Sequence, residues 1–308
     1  MIIASGPGNA QVITQNFGLG ANAFSIDFVE IGNPGNAADT TGNPNPVGSV
    51  AYVYNIGKYE ISRNMIEKAN IEGGLNITMA DMTNFGGNSE YRPATDVSWN
   101  EAARFVNWLN TSKGYQAAYN LTKSGNNNNI TLWGAEQSSG GNMFRHKDAY
   151  YFLPSIDEWY KAAYGSPSGA WYNYPIGSDG PPFPITGGVS PNSAVYAQPY
   201  ETGPADITNA GGLSAWSTMA QGGNVAEWNE SSLDGGNDNA TEERAIRGGS
   251  WSQWSQGFES TDVVSGGDPE TGGNQLIGFR VAMVPEPSAL SLLTVGLGGL
   301  AMIRRRRS

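Results

Sequence analysis

Three carboxylates and one short aromatic run carry most of the chemistry this chain could do. Glu227 lies in GGNVAEW (222–228), and Glu259 and Asp262 follow shortly after RGGSW (247–251). Two such groups could act as general acid and general base if both reached one substrate, and the spacing leaves open whether any two do. Trp251, Trp254 and Phe258, interleaved with Gln253, suit stacking on a carbohydrate or peptide in a ligand groove. The same aromatics also suit core packing. The segment LDGGNDN (233–239) has a calcium-loop composition without the alternating acidic spacing, and reads as a solvated turn.

Absences narrow the chemistry further. The chain has no cysteine, which removes disulfides, thiolate nucleophiles and Cys-ligated zinc or iron–sulfur sites. It has one histidine, His146, so a multi-histidine metal centre and a histidine-dependent triad are not expected, and His146 reads as structural. A net charge of −11, with four of the positive charges in Arg304, Arg305, Arg306 and Arg307, leaves a strongly acidic body that repels nucleic acid.

The elements that must position these residues are short. Charged residues make up only 15% of the chain against 42 glycines, which predicts many turns and few long surface helices. A strand is expected at 25–31, with Phe24, Ile26, Phe28 and Glu30 on one face, then a proline-containing loop at 32–48. Residues 50–61 read as a strand or strand pair with Tyr52, Tyr54 and Ile56 on one face, and 62–71 as a short helix. Ser98 to Glu101 and Ser155 to Glu158 are both capping boxes, each opening an amphipathic helix. From 165 to 249 the chain reads as long ordered loops that bury Trp171, Tyr174, Phe183, Trp216 and Trp228.

At the C-terminus, Pro285, Glu286 and Pro287 precede an apolar run from Ala289 to Ile303 and the four arginines. That run spans roughly 24 Å as a helix, a little short of a bilayer core of about 30 Å, and the arginines would stay on the cytoplasmic side. Residues 1–24 contain neither a basic start nor a long apolar run, so they do not read as a signal peptide.

Two resemblances follow from these motifs. The tail over 285–307 resembles the PEP-CTERM sorting signal of Gram-negative bacteria. That resemblance implies recognition by an exosortase, an inner-membrane intermediate, cleavage near Pro285 to Pro287 and delivery to the cell surface or extracellular matrix. It also implies a signal peptide, which 1–24 do not supply, so the start is expected to be truncated, misassigned or already mature. IGKYEIS (56–62), PATDVSWNEAARFVNWLN (93–110), FLPSIDEWYKAAY (152–164), YNYPIG (172–177), GGNVAEW, RGGSW and IGFRVA (277–282) resemble, in order, the formylglycine-generating enzyme or sulfatase-modifying factor family.

The second resemblance implies an irregular, loop-rich α+β domain related to C-type lectins over 25–283, between an N-terminal segment at 1–24 and a sorting tail with a hydrophobic helix at 284–308. The family's oxidase holds copper with two cysteines shortly after the GGS motif. Those positions are Gln253 and Phe258 here, so neither copper nor iron is expected and the domain reads as non-catalytic. The resemblance further implies a calcium site at Gly223, Val225 and Glu227, with Asn192 matching a second one; buried hydrogen bonding is the other reading of Glu227. Arg247 and Arg280 match positions that tie loops to the core. The expected role is ligand binding or structure, with an extracellular polysaccharide or surface ligand as partner. The alternative is an enzyme of the same fold using Glu227, Glu259 or Asp262.

Overall fold

The computed structural model describes residues 12–124 and 127–285. Three α-helices are found among them: α1 (Arg63–Gly73), α2 (Trp99–Thr111) and α3 (Ile156–Tyr164). Both expected capping boxes form. The Ser98 and Ser155 hydroxyls each accept from the backbone N–H three residues on, and Glu101 and Glu158 reach back to the cap N–H. These bonds satisfy backbone donors that a helix start would otherwise leave open. Ser62 caps α1 in the same way, without the reciprocal glutamate.

Most strands are short and lie in two sheets. The first runs in the order β1 (Val12–Phe17), β2 (Phe24–Ile31), β3 (Tyr54–Gly57), Ala282–Met283, Tyr151–Phe152, antiparallel throughout. Phe24, Ile26 and Phe28 face the main core, while Val29 and Ile31 on the other face enter a second apolar cluster with Tyr54, Ile56 and Phe152. Covered on both faces, β2 shows less alternation than a half-exposed strand would. Glu30 keeps the expected alternation, opposite Asn55 of β3, but is exposed. Over 50–61 only Tyr54–Gly57 is strand, and Tyr52 is half exposed, donating its hydroxyl to Glu158 (2.7 Å). β1 comes from the segment expected to precede the domain, yet it pairs with β2 along its whole length.

The second sheet has the order Ser265–Gly267, Arg244–Arg247, Ala226–Ser232, Ile277–Phe279, and its last pair is parallel. It brings GGNVAEW, RGGSW and IGFR side by side: Glu227 stands opposite Arg247 on one neighbour and Gly278 on the other. The expected loop region at 165–249 therefore holds two core strands. All seven residues of Ala226–Ser232 are buried, so no alternation announces them. Within the same region Tyr174, Trp216 and Trp228 are buried as expected, whereas Phe183 is 72% exposed.

A buried ion cluster fixes α3 to this second sheet. Arg145 lies 2.9 Å from Glu158 and 2.6 Å from Glu230, its guanidinium 3.7 Å from the Phe152 ring centre. Arg145 holds the Glu158 carboxyl below its ordinary value despite the opposing effect of burial. His146 is buried edge-on against Trp133. Glu286, Pro287, the apolar run and Arg304 to Arg307 lie outside the described residues, and among those described no helix is long and apolar enough to cross a membrane.

Candidate functional site

The GGNVAEW turn is built from backbone that few residues can adopt. Gly223 has φ +82°, and a Cβ there would fall 2.3 Å from the Val195 carbonyl oxygen. Asn224 follows at φ +57°, and its side chain ties three segments together. Its Oδ1 accepts from the Ala205 N–H (2.8 Å) and its Nδ2 donates to Glu60 Oε2 (2.6 Å). The Val225 N–H donates to the other Glu60 oxygen (3.2 Å).

Glu227 is fully buried, and both of its oxygens are taken. Oε2 accepts from Trp159 Nε1 (2.7 Å) and Arg280 Nε (2.6 Å), and Oε1 accepts from Arg280 Nη2 (2.5 Å). Arg280 spends further donors on the carbonyls of Gly57 (2.9 Å) and Met219 (2.9 Å). The forked guanidinium thus closes four segments around one carboxylate. A metal cation at Glu227 would have to share that carboxylate with Arg280, so its side chain does not fit the expected calcium site. No group of three or more His, Cys, Asp or Glu side chains is placed to hold a metal among the described residues. Val225 is also fully buried, and Asn192 is an exposed turn residue on another loop, its carbonyl accepting from the Phe183 N–H (2.8 Å).

Sequence reasoning passed over Glu60, although it stands in IGKYEIS among apolar neighbours. It is buried beside Glu227, and burial first, then the Glu227 charge, push its carboxyl well above the usual range. Trp159 is fully buried on α3, and its hydrogen bond to Glu227 had no sequence signal.

RGGSW forms the adjoining turn. The Trp251 N–H donates to the Asn224 carbonyl (2.9 Å), which joins the two motifs. Arg247 points inward, donating to the Asn43 carbonyl (2.7 Å) with its guanidinium 5.3 Å from the Tyr160 ring centre. Its expected tie to the core is made through carbonyls and aromatic rings, with no ion pair among the described residues.

The four residues expected to line a groove separate into two pairs. Trp251 is fully buried, stacked on Tyr200 and donating Nε1 to its carbonyl (3.1 Å). Phe258 is buried edge-on to Tyr196 (5.2 Å) and Tyr174 (6.0 Å), against Gly222, where a Cβ would meet its ring at 2.9 Å. Both are core residues, because the turn folds their rings inward. Gln253 and Trp254 lie on the surface, Trp254 at 73% exposure. The Gln253 amide oxygen accepts from the Ser250 N–H (2.8 Å), and its backbone carbonyl accepts from Ala197 (2.8 Å). Glu259 and Asp262 share one turn, the Asp262 N–H donating to the Glu259 carbonyl (3.1 Å). The Tyr174 hydroxyl donates to Glu259 Oε1 (2.5 Å), and burial raises the Asp262 carboxyl above its ordinary value.

Loop-rich α/β packing, two fused glycine turns and a buried Arg280–Glu227 pair define a domain of the sulfatase-modifying-factor type. A family model described as the sulfatase-modifying factor enzyme 1-like domain matches residues 28–284, and the chain belongs to that FGE-sulfatase family. No curated protein matches it. Among solved structures, Treponema denticola variable protein 1 is similar at TM-score 0.59 and 17% identity, over 89% of this chain and 99% of that one. CarF is similar at TM-score 0.58 and 16% identity, over 85% and 99%. PvdO from Pseudomonas aeruginosa is similar at TM-score 0.53 and 18% identity, over 88% and 98%. At such identities the likeness is one of fold.

Proposed function

We propose that this is an exported, exosortase-processed surface or matrix protein whose sulfatase-modifying-factor domain binds a ligand or serves a structural role without catalysing oxidation. The carrying observation is the pair Gln253 and Phe258. An amide occupies one position where the family's thiolate is expected, and a buried phenyl ring occupies the other. Neither can bind copper as a thiolate does, so these residues do not fit that metal. The surface that remains, around Trp254 and Gln253, suits an extracellular polysaccharide or another surface ligand.

The test is incubation of the full-length chain with copper, oxygen and a cysteine-containing peptide, followed by peptide mass measurement. The expected result is an intact thiol; conversion to an aldehyde overturns the reading. Export is supported by the order of Pro285, Glu286 and Pro287, apolar run and arginines. Protein recovered from the native cell surface should lack the mass of that tail, and an intact C-terminus on surface protein would exclude exosortase cleavage.

A second reading keeps catalysis through acid and base. Glu227 has no part in it, being buried and held by Arg280. Glu259 and Asp262 support it by sharing a turn at the surface end of RGGSW, with the Asp262 carboxyl raised by burial. Asp262→Ala and Glu259→Ala should each abolish any turnover found, and unchanged turnover would remove this reading. Calcium enters either reading through backbone carbonyls alone, and its addition to the metal-free protein, followed by thermal unfolding, tests for it.

A further inference from the structure

A groove of about 320 Å³ lies between β2, the start of α1 and the loop through Ile207. Its volume falls near the lower end of small-ligand pockets, roughly 300–1,000 Å³. Tyr59 and Tyr91 provide aromatic surface in it, Ile207 provides apolar surface, and Asp27, Asn64 and Thr208 provide hydrogen-bonding groups. Tyr91 is 59% exposed, yet its backbone is fixed, its carbonyl accepting from the Ile207 N–H (2.9 Å). The adjoining residues Glu90 and Arg92 accept from Asn64 and Arg63 (3.0 and 2.9 Å). An aromatic ring held in water on a tied backbone is a preorganised contact.

The chemistry of the lining selects among occupants. An extended peptide adding to the sheet would find only the short run Phe24 to Ile26 of β2 open, since β1 covers the other edge, β3 pairs from Phe28 onward and the Lys58 N–H donates to the Asp27 carbonyl (2.8 Å). Acidic glycans are opposed by the net charge of −11 and by Asp27, with Glu90 and Asp206 on adjoining segments. Cations are opposed by Lys68 in the lining and by Lys58, whose ammonium already sits 5.3 Å from the centre of the Tyr59 ring. A neutral sugar answers all three conditions. Its C–H face stacks on tyrosine, and its hydroxyls both give and accept hydrogen bonds.

We propose that this groove binds a short segment of neutral polysaccharide, with Tyr59 and Tyr91 against sugar faces and Asp27 and Asn64 on the hydroxyls. It is a different surface from that of Trp254, and it depends neither on export nor on the loss of the oxidase. Calorimetric titration of the full-length chain, in sugar-free buffer and detergent, would use cellotetraose, maltotetraose and the tetramer of N-acetylglucosamine. At least one should bind, Tyr91→Ala should weaken it by about tenfold, and Trp254→Ala should leave it unchanged. Tyr91 is exposed, so its truncation should leave thermal unfolding unaltered. Failure of all three sugars to bind at millimolar concentration, or equal binding by Tyr91→Ala, overturns the proposal. So does Tyr91-dependent binding of a lysine-rich peptide in place of the sugars.

Discussion

GGNVAEW and RGGSW are neighbours joined by backbone hydrogen bonds, from the Gly223 N–H to the Gly248 carbonyl and from the Trp251 N–H to the Asn224 carbonyl, yet they lead to opposite environments. The first ends in Glu227, closed off with Arg280 and Trp159; the second ends near Trp254, standing in water. Around Glu227 no member can change alone, because its partner would be left charged or unpaired in the core. Around Trp254 a side chain can change at little structural cost. The family motif can therefore be complete where it builds the fold while lacking the thiols that would do oxidation.

Removing the arginine tests the closed side and should give the largest effect. Arg280→Ala leaves Glu227 buried without its cation and should lower stability by about 3–5 kcal/mol in urea unfolding. Replacing Glu227 and Arg280 together by methionine should recover much of that loss, since the desolvation cost goes with the charges. A loss under about 1 kcal/mol for Arg280→Ala would mean that the pair is not what holds these segments. Phe258 comes next and sharpens the boundary between the two turns. As a core ring its change to alanine should cost about 3 kcal/mol, whereas a groove wall would lose much less.

The scaffold was legible in the sequence to the extent that local rules governed it. Both capping boxes state their partners within four residues, so α2 and α3 fall where expected. The strand Ala226–Ser232 was not legible, because its polar residues are buried by distant partners: the Trp99 indole donates to the Asn229 carbonyl, and Tyr119 and Arg145 hold Glu230. Glu227 was visible as a carboxylate in a family motif, but whether it faced a metal or an arginine depended on IGFR, some fifty residues away. Trp251, Trp254 and Phe258 look alike in sequence, and only the path of the turn separates the buried pair from the exposed one.

Two buried glutamates should respond to pH in opposite senses. Glu60 keeps its proton in the folded state above the ordinary value of 4.5, while the unfolded chain has released it. Its contribution is therefore complete below 4.5 and is lost as pH rises toward the higher folded value. Glu158, held below 4.5 chiefly by Arg145, contributes above that value and loses it as pH falls. In Glu60→Gln the decline of stability with rising pH should be shallower than in the wild type. Gln has one carbonyl for the two donors from Asn224 and Val225, so the difference in slope, and not absolute stability, is the readout. Parallel pH profiles for the two proteins would mean that Glu60 ionises alike in both states.

The smallest structural effect is expected at the exposed tryptophan of the second turn, where the proposed ligand surface lies. Trp254 is largely solvated and has no aromatic partner or side-chain hydrogen bond among the described residues, so Trp254→Ala should change stability by less than about 0.5 kcal/mol. If that face takes a ligand, the same substitution should weaken binding, because a tryptophan supplies much of its contact area only when a partner covers it. Stability and binding would then respond in reverse order across the two turns, with Arg280 governing the first and Trp254 the second. A loss of 2 kcal/mol or more for Trp254→Ala, about the cost of a core ring, would place the indole in the fold and dissolve the division between the turns.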